Sequence, residues 1–260
     1  MAILATIWGL RLTWNFARRG GYTWPPWKGD EDYRWKYVQD GYLLGILKNK
    51  IVWTMFNLLF ISLYQNVLLL LVVAPSVVAH IAATKLQLCA DDHDSFYSSS
   101  LNSLDLLASV LYLSFILIES IADNQQQRFQ NEKHRRIAAA GEQPLDGEYL
   151  DGFTRSGLFS IVRKPNYACE QGLWMSFGIF SLASFQSGIP RQQNMFNWSH
   201  VGWISYIILF QGSGPFTEYI SLTKYPLYAE YVKDTPLFVP NIFKLFRNEK
   251  MSDEKQKKQS

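Results

Sequence analysis

The chain has 260 residues, 48% of them hydrophobic and 15% aromatic, with a formal net charge of +3. So small a charge gives no ground for a nucleic-acid partner, and the cations do not interleave with aromatics as a nucleic-acid groove requires. Two cysteines, Cys89 and Cys169, do not make a disulfide framework, and the length suits one large domain or two small ones.

A mean hydropathy near zero averages two unlike populations, stretches almost free of charge and segments dense in Lys, Arg, Asp and Glu. Met1 to Phe16 is apolar but interrupted by Arg11, and Arg18 and Arg19 follow the apolar stretch rather than precede it. That order is wrong for a signal peptide, so an amphipathic or short spanning helix is expected. Residues 51–75 are long enough to span a bilayer core. Asn57, Gln65 and Asn66 within them call for partners inside a helix bundle. Residues 101–123 form a second apolar run, 168–185 a third and 199–216 a fourth, the last aromatic at its start like an interfacial anchor. The alternative is four buried helices of a soluble α-protein.

Loop charges favour the membrane. Residues 17–50 and 124–165 are rich in Lys and Arg, as is the tail after Pro240, whereas 76–100 holds only Lys85 beside Asp91, Asp92 and Asp94. Basic and non-basic loops alternate as successive spans require, with the basic ones and the C-terminus cytosolic. The chain ends KKQS, and Lys257 and Lys258 match a di-lysine signal read by coat proteins at the endoplasmic reticulum, an address rather than an anchor. A solvated basic tail is the plainer reading of the same residues. The sequon Asn197-Trp198-Ser199 falls on the expected lumenal side, too near the membrane for modification.

Chemistry-bearing residues gather in the stretch RKPNYACE at 163–170. Pro165 suits the first turn of a helix. Tyr167 and Glu170, and likewise Asn166 and Glu170, then share a helical face, with Arg163 and Lys164 just ahead of an N-terminus that favours anions. Lipid headgroups explain the two cations but not an amide, a phenol and a carboxylate in the next turn. An intramembrane carboxylate is a functional candidate in its own right. Glu119 and Asp123, four apart, share a face at the end of the second span; they repel unless a cation lies between them, and a helix end frayed into water is the alternative. Tyr225, Tyr228 and Tyr231 recur every third residue, a stripe more often core than site.

The motifs carry a resemblance. GLFSIVRKPNY--E is similar to the GLW-x-x-SRHPNY-x-x-E signature of an uncharacterised membrane family related to steroid 5α-reductases. RLTWNFARRGGY with EDYRW, AD-x-Q-x-x-x-F at 122–129, and GSGPFTE followed by KYPLYAEY and FVP resemble that family's other blocks, in the same order from Arg11 to Pro240. Relatives with this signature carry further spans ahead of the first motif, so this chain looks short at its N-terminus. Two positions depart from the pattern: Lys164 stands where the signature has histidine, and Gln126 where it has lysine.

The resemblance implies an all-α, polytopic integral membrane helix bundle in the endoplasmic reticulum. Residues 1–245 would form one membrane-embedded reductase-like domain and 246–260 a basic cytosolic tail. Its implied activity is NADPH-dependent reduction of a carbon–carbon double bond in a lipid of sterol or long-chain enoyl type, with no metal. No Rossmann domain is expected, because GSGP at 212–215 lacks the GxGxxG spacing and follows no strand. Carried over, Arg155, Arg163, Lys164, Asn166, Tyr228 and Tyr231 would contact the cofactor, Asp123 its ribose or amide portion, and Tyr167 and Glu170 would be catalytic. Tyr167 would give a proton to carbon after hydride arrives, and Glu170 would orient it. An S-adenosylmethionine-dependent methyltransferase of the isoprenylcysteine type looks similar at R-H-P-x-Y, but it carries paired glutamates where this chain has Glu218-Tyr219. A non-catalytic lipid-binding relative is the third reading.

Overall fold

A computed structural model describes residues 1–25, 32–42, 45–90, 101–139, 145–186 and 197–241. Lys28, Asp91, Asp92, Asp94 and the di-lysine tail lie outside the described residues. Every regular element among them is helical: α1 (Ala2–Arg18), α2 (Arg34–Tyr37), α3 (Lys50–Phe56), α4 (Gln65–Val72), α5 (Ala74–Ala90), α6 (Ser103–Ala138), α7 (Gly147–Asp151), α8 (Pro165–Gln186), α9 (His200–Lys224) and α10 (Tyr228–Asp234). The chain forms two compact units, one of Met1–Leu117 with Cys169–Ile220, the other of Ile118–Ala168 with the chain from Ser221 onward.

Among the described residues, two helical stretches are long and apolar enough to cross a membrane, Lys50–Thr84 with 35 residues and Ser103–Ala138 with 36. The first passes through a π-helical stretch at Asn57–Tyr64 and a turn at Val73, where Pro75 limits the preceding backbone. It extends through residues expected to be loop, since 76–90 continue as helix. At 1.5 Å per residue the second is about 54 Å long, well beyond a bilayer core of about 30 Å. Its apolar stretch ends near Asp123, and 124–138 are polar.

The third and fourth apolar runs form α8 and α9 but fall short of the membrane-crossing measure among the described residues. Glu170, Gln171, Ser176 and Ser181 interrupt α8, and Gln211, Ser213 and Pro215 interrupt α9. Asn57 and Asn66 do not reach across a bundle. Their amides donate to carbonyls one turn back, Asn57 to Trp53 O at 3.1 Å and Asn66 to Ser62 O at 2.5 Å. A short amide side chain reaches its own helix more easily than a neighbouring one.

The first unit's core joins Leu4 of α1, Leu68 and Val72 of α4, Ala108, Tyr112 and Ile116 of α6, and Leu173, Trp174, Phe177 and Phe180 of α8. Leu4, Trp8 and Arg11 make one inward stripe on α1, while Ile3, Leu10 and Trp14 are exposed. The outward face of α6 is likewise apolar, with Leu106, Val110, Leu113 and Leu117 exposed. Glycines let two pairs of helices approach closely. A Cβ on Gly172 of α8 would fall 2.5 Å from the Phe115 ring, and one on Gly202 of α9 would fall 2.0 Å from the Leu71 carbonyl oxygen of α4.

In the second unit, Phe153, Tyr228 and Tyr231 pack with Tyr225 and Val232. Gly152 ends α7 at φ +89°, a left-handed conformation that side chains disfavour, and a Cβ there would lie 2.7 Å from the Tyr225 ring. Lys133 closes the same corner, donating to Gly152 O at 3.0 Å with its ammonium 5.4 Å from the Tyr225 ring centroid. Gly152→Ala should therefore cost at least about 1–2 kcal/mol plus the displacement of Tyr225, read as a lowered midpoint of thermal unfolding in detergent.

Candidate functional site

Eight of the nine site residues expected from the sequence lie in the second unit: Asp123, Arg155, Arg163, Lys164, Asn166, Tyr167, Tyr228 and Tyr231. The acidic end of the apolar part of α6 meets RKPNY directly. Asp123 is 5% exposed, and its Oδ1 accepts a hydrogen bond from the Asn166 amide. A buried carboxylate must find donors, and Asn166 supplies one from the first turn of α8. Two residues along α6, Gln125 Oε1 accepts from the Leu158 N–H at 3.0 Å. The GLFS segment is thereby tied to the same helix.

The C-terminal block closes over the other side of this segment. Arg163 N–H donates to Pro236 O at 2.9 Å and Lys164 N–H to Leu237 O at 3.1 Å. The Arg163 guanidinium donates to Val232 O at 3.0 Å and also to Thr235 O. These carbonyls sit at the C-terminal end of α10, where a cation is favoured by the helix dipole and satisfies acceptors the helix leaves open. The Tyr231 hydroxyl donates to Phe159 O. Tyr228 and Tyr231 are core residues, 4% and 8% exposed. The Tyr167 ring stacks on Phe238, with centroids 6.4 Å apart and planes at 27°.

Arg155 is different, with a half-exposed side chain. It pairs at 2.7 Å with Asp151, the last residue of α7, four positions earlier. Its backbone N–H donates to Glu148 Oε2 at 3.0 Å, and Glu148 also accepts from Ser156 Oγ at 3.0 Å and Thr154 Oγ1 at 3.4 Å. Glu148 thus organises the loop that leads into the 157–160 turn.

The ninth residue, Glu170, lies in the first unit with a side chain 9% exposed. It accepts from Trp8 Nε1 at 3.1 Å, Trp174 Nε1 at 3.0 Å and the Tyr206 hydroxyl at 3.3 Å, and faces Arg11 Nη2 at 3.6 Å. Three aromatic donors and one guanidinium satisfy this carboxylate, and two of the four come from α1. Cys169, next to it in sequence, is buried and in no disulfide.

Sequence reasoning missed both Arg11 as the partner of Glu170 and a polar cavity of about 530 Å³ in the second unit, lined by the polar part of α6 and the loop 148–157. The signals were present. A lone arginine interrupts an otherwise apolar helix at Arg11, and Gln125, Arg128, Phe129, Glu132 and Arg135 repeat at helical spacing. On the cavity's rim, hydrogen bonds from Arg135 and then Arg136 hold the Glu132 carboxyl down to about 2. Arg136 also reaches Asp146 at 2.6 Å and lies 4.1 Å over the Tyr149 ring, whose other partner is the stacked ring of Phe129.

At the sequon, Asn197 Oδ1 accepts from Ser199 N–H at 3.0 Å and Ser199 Oγ at 2.5 Å just ahead of α9, and the Asn197 amide nitrogen is buried. No solved structure matches the chain. An uncharacterised protein of the fission yeast Schizosaccharomyces pombe is 29% identical over 246 residues, covering 93% of this chain. The chain spans 63% of that relative's length. The sequence profile described as "Protein of unknown function (DUF1295)" matches residues 1–235, and the chain belongs to that family.

Proposed function

We propose that the protein is a membrane-embedded oxidoreductase that uses NADPH to reduce a carbon–carbon double bond in a lipid of sterol or long-chain enoyl type. In this reading it is a multi-pass protein of the endoplasmic reticulum with a cytosolic C-terminus. The observation that carries it is the meeting, in the second unit, of three motifs far apart in sequence. Asn166 of RKPNY bonds Asp123 of the acidic helix end, and Arg163 bonds the carbonyls of the C-terminal block. These are the blocks whose order resembles the steroid 5α-reductase relatives. The exposed apolar faces of α1 and α6 suit contact with lipid.

The donor set suits a dinucleotide phosphate in part. Arg155 keeps half its side chain in solvent, and Lys164 stands immediately ahead of Pro165, the first residue of α8. Arginine and lysine side chains hold phosphate oxygens without a Rossmann turn. Arg163, Tyr228 and Tyr231 would act at one remove, by holding the segment that presents Lys164 and Asn166. Asp123, fixed by Asn166, would accept from a ribose or carboxamide group. NADPH, when bound, supplies the hydride to one alkene carbon. Tyr167 would hold its phenolic proton for the other carbon and take a replacement from water. Glu170, by its contacts with Trp8 and Arg11, would keep α1 in place.

Purified in detergent, the chain should be stabilised against thermal unfolding by NADPH and not by S-adenosylmethionine. Stabilisation by S-adenosylmethionine alone would transfer the assignment to a methyltransferase, and by neither to a non-catalytic lipid-binding protein. Tyr167→Phe should keep the NADPH-induced shift and lose turnover by about 10²-fold or more, the usual contribution of a positioned acid. Full turnover in that variant would remove Tyr167 from the chemistry.

A further inference from the structure

We propose that the cavity between the polar end of α6 and the loop 148–157 is a phosphomonoester site anchored by Arg128. The inference stands apart from the reductase reading, because it concerns a different set of side chains and requires no turnover. Its volume, about 530 Å³, falls within the range of small-ligand sites.

The argument is an account of donors and acceptors. Acceptors on the cavity wall are already engaged. Glu148 is held by Thr154, the Arg155 N–H and Ser156, and Glu132 by Arg135 and Arg136 at 2.8 Å each. Gln125 Oε1 takes the Leu158 N–H, and Asn131 Oδ1 takes Gln127 Nε2 at 2.8 Å. Donors remain open. Among the described residues, the Arg128 guanidinium has no partner, and neither Gln125 Nε2 nor Asn131 Nδ2 donates to a protein group.

Gln125's orientation is fixed by the Leu158 bond, so its amide nitrogen faces away from that N–H. Gly157 leaves room for it. At φ +59° a Cβ there would sit 2.5 Å from Gln125 Nε2. A wall with one open guanidinium and two open amide donors, and with its carboxylates engaged, calls for an oxygen-rich anion. A phosphomonoester offers three terminal oxygens and a charge near −2, and a guanidinium binds it through paired N–H groups. Lying beyond the apolar part of α6, the cavity suits either a soluble nucleotide monophosphate group or the headgroup of a monophosphate lipid.

The test uses the full chain in detergent, wild type and Arg128→Gln, which is at a solvent-exposed position and removes no intramolecular bond. Thermal unfolding is followed with 2′-AMP, with short-chain phosphatidic acid, and with adenosine and short-chain phosphatidylcholine as controls. A shift with 2′-AMP assigns the site to a nucleotide, and a shift with phosphatidic acid assigns it to a lipid headgroup. Either ligand should bind about tenfold or more weakly to Arg128→Gln, the loss expected for one hydrogen-bonded charge pair, read as the higher concentration needed for the same shift. No shift with either phosphate ligand, an equal shift with the controls, or an undiminished shift in Arg128→Gln would overturn the inference.

Discussion

Glu170→Ala should destabilise the protein by about 3 kcal/mol or more, the cost of breaking a buried ion pair from one side. The variant leaves the Arg11 guanidinium, 10% exposed, without its carboxylate, and strips the acceptor from Trp8, Trp174 and Tyr206. It also loosens α1 from α8. Glu170→Gln keeps an acceptor for the indoles but not the charge facing Arg11, so its loss should be intermediate. The double variant Arg11→Met with Glu170→Met should recover part of the loss, since apolar side chains of similar size remove both desolvated charges together. Thermal unfolding of the purified chain reads all three. If Glu170→Ala unfolds with the wild type, the carboxylate is not what holds α1.

Gly202→Ala should be as damaging, for a steric reason. The added methyl would meet the Leu71 carbonyl oxygen at 2.0 Å, its carbon at 2.2 Å and the Val72 nitrogen at 2.6 Å. All three are backbone atoms of or beside a buried turn of α4, so no rotamer change relieves the overlap and the helices must separate. Overpacking ordinarily costs about 1–3 kcal/mol, and more where the obstacle cannot move. Leu68 and Val72, 3% and 1% exposed, would lose their packing with it. The expected result is a sharply reduced yield of folded protein and a lowered unfolding midpoint. Gly212→Ala, with open space at its Cβ, is the control on the same helix.

The helical class and the two helices long and apolar enough to cross a membrane were legible, because mainly apolar runs near 20 residues leave little else to form. The pairing of distant motifs was legible only in outline. The repulsion between Glu119 and Asp123 called for a partner near Asp123, expected as a cation, and did not point to the Asn166 amide. The roles of Arg163 and Tyr231 were not legible, because their hydrogen bonds end on backbone carbonyls of Val232, Thr235 and Phe159. Backbone acceptors are the same whatever residue carries them, so no pattern of side chains announces them. Arg11 was misjudged for a related reason. As an interruption of an apolar run it was noticed, but its partner lies 159 positions on, and helical periodicity sees only neighbours three and four apart. Asn57 and Asn66 show the opposite case, a polar residue in an apolar helical stretch satisfied by the carbonyl one turn back.

The most direct test of the reductase assignment follows the hydride. The purified chain is incubated with NADPH carrying deuterium at the transferable nicotinamide position and with lipid extracted from cells that lack the protein. The assignment predicts a deuterated, saturated lipid by mass spectrometry, formed with the wild type and not with Tyr167→Phe. Deuterium that stays wholly on the nicotinamide, in a preparation that binds NADPH and is folded, would contradict it.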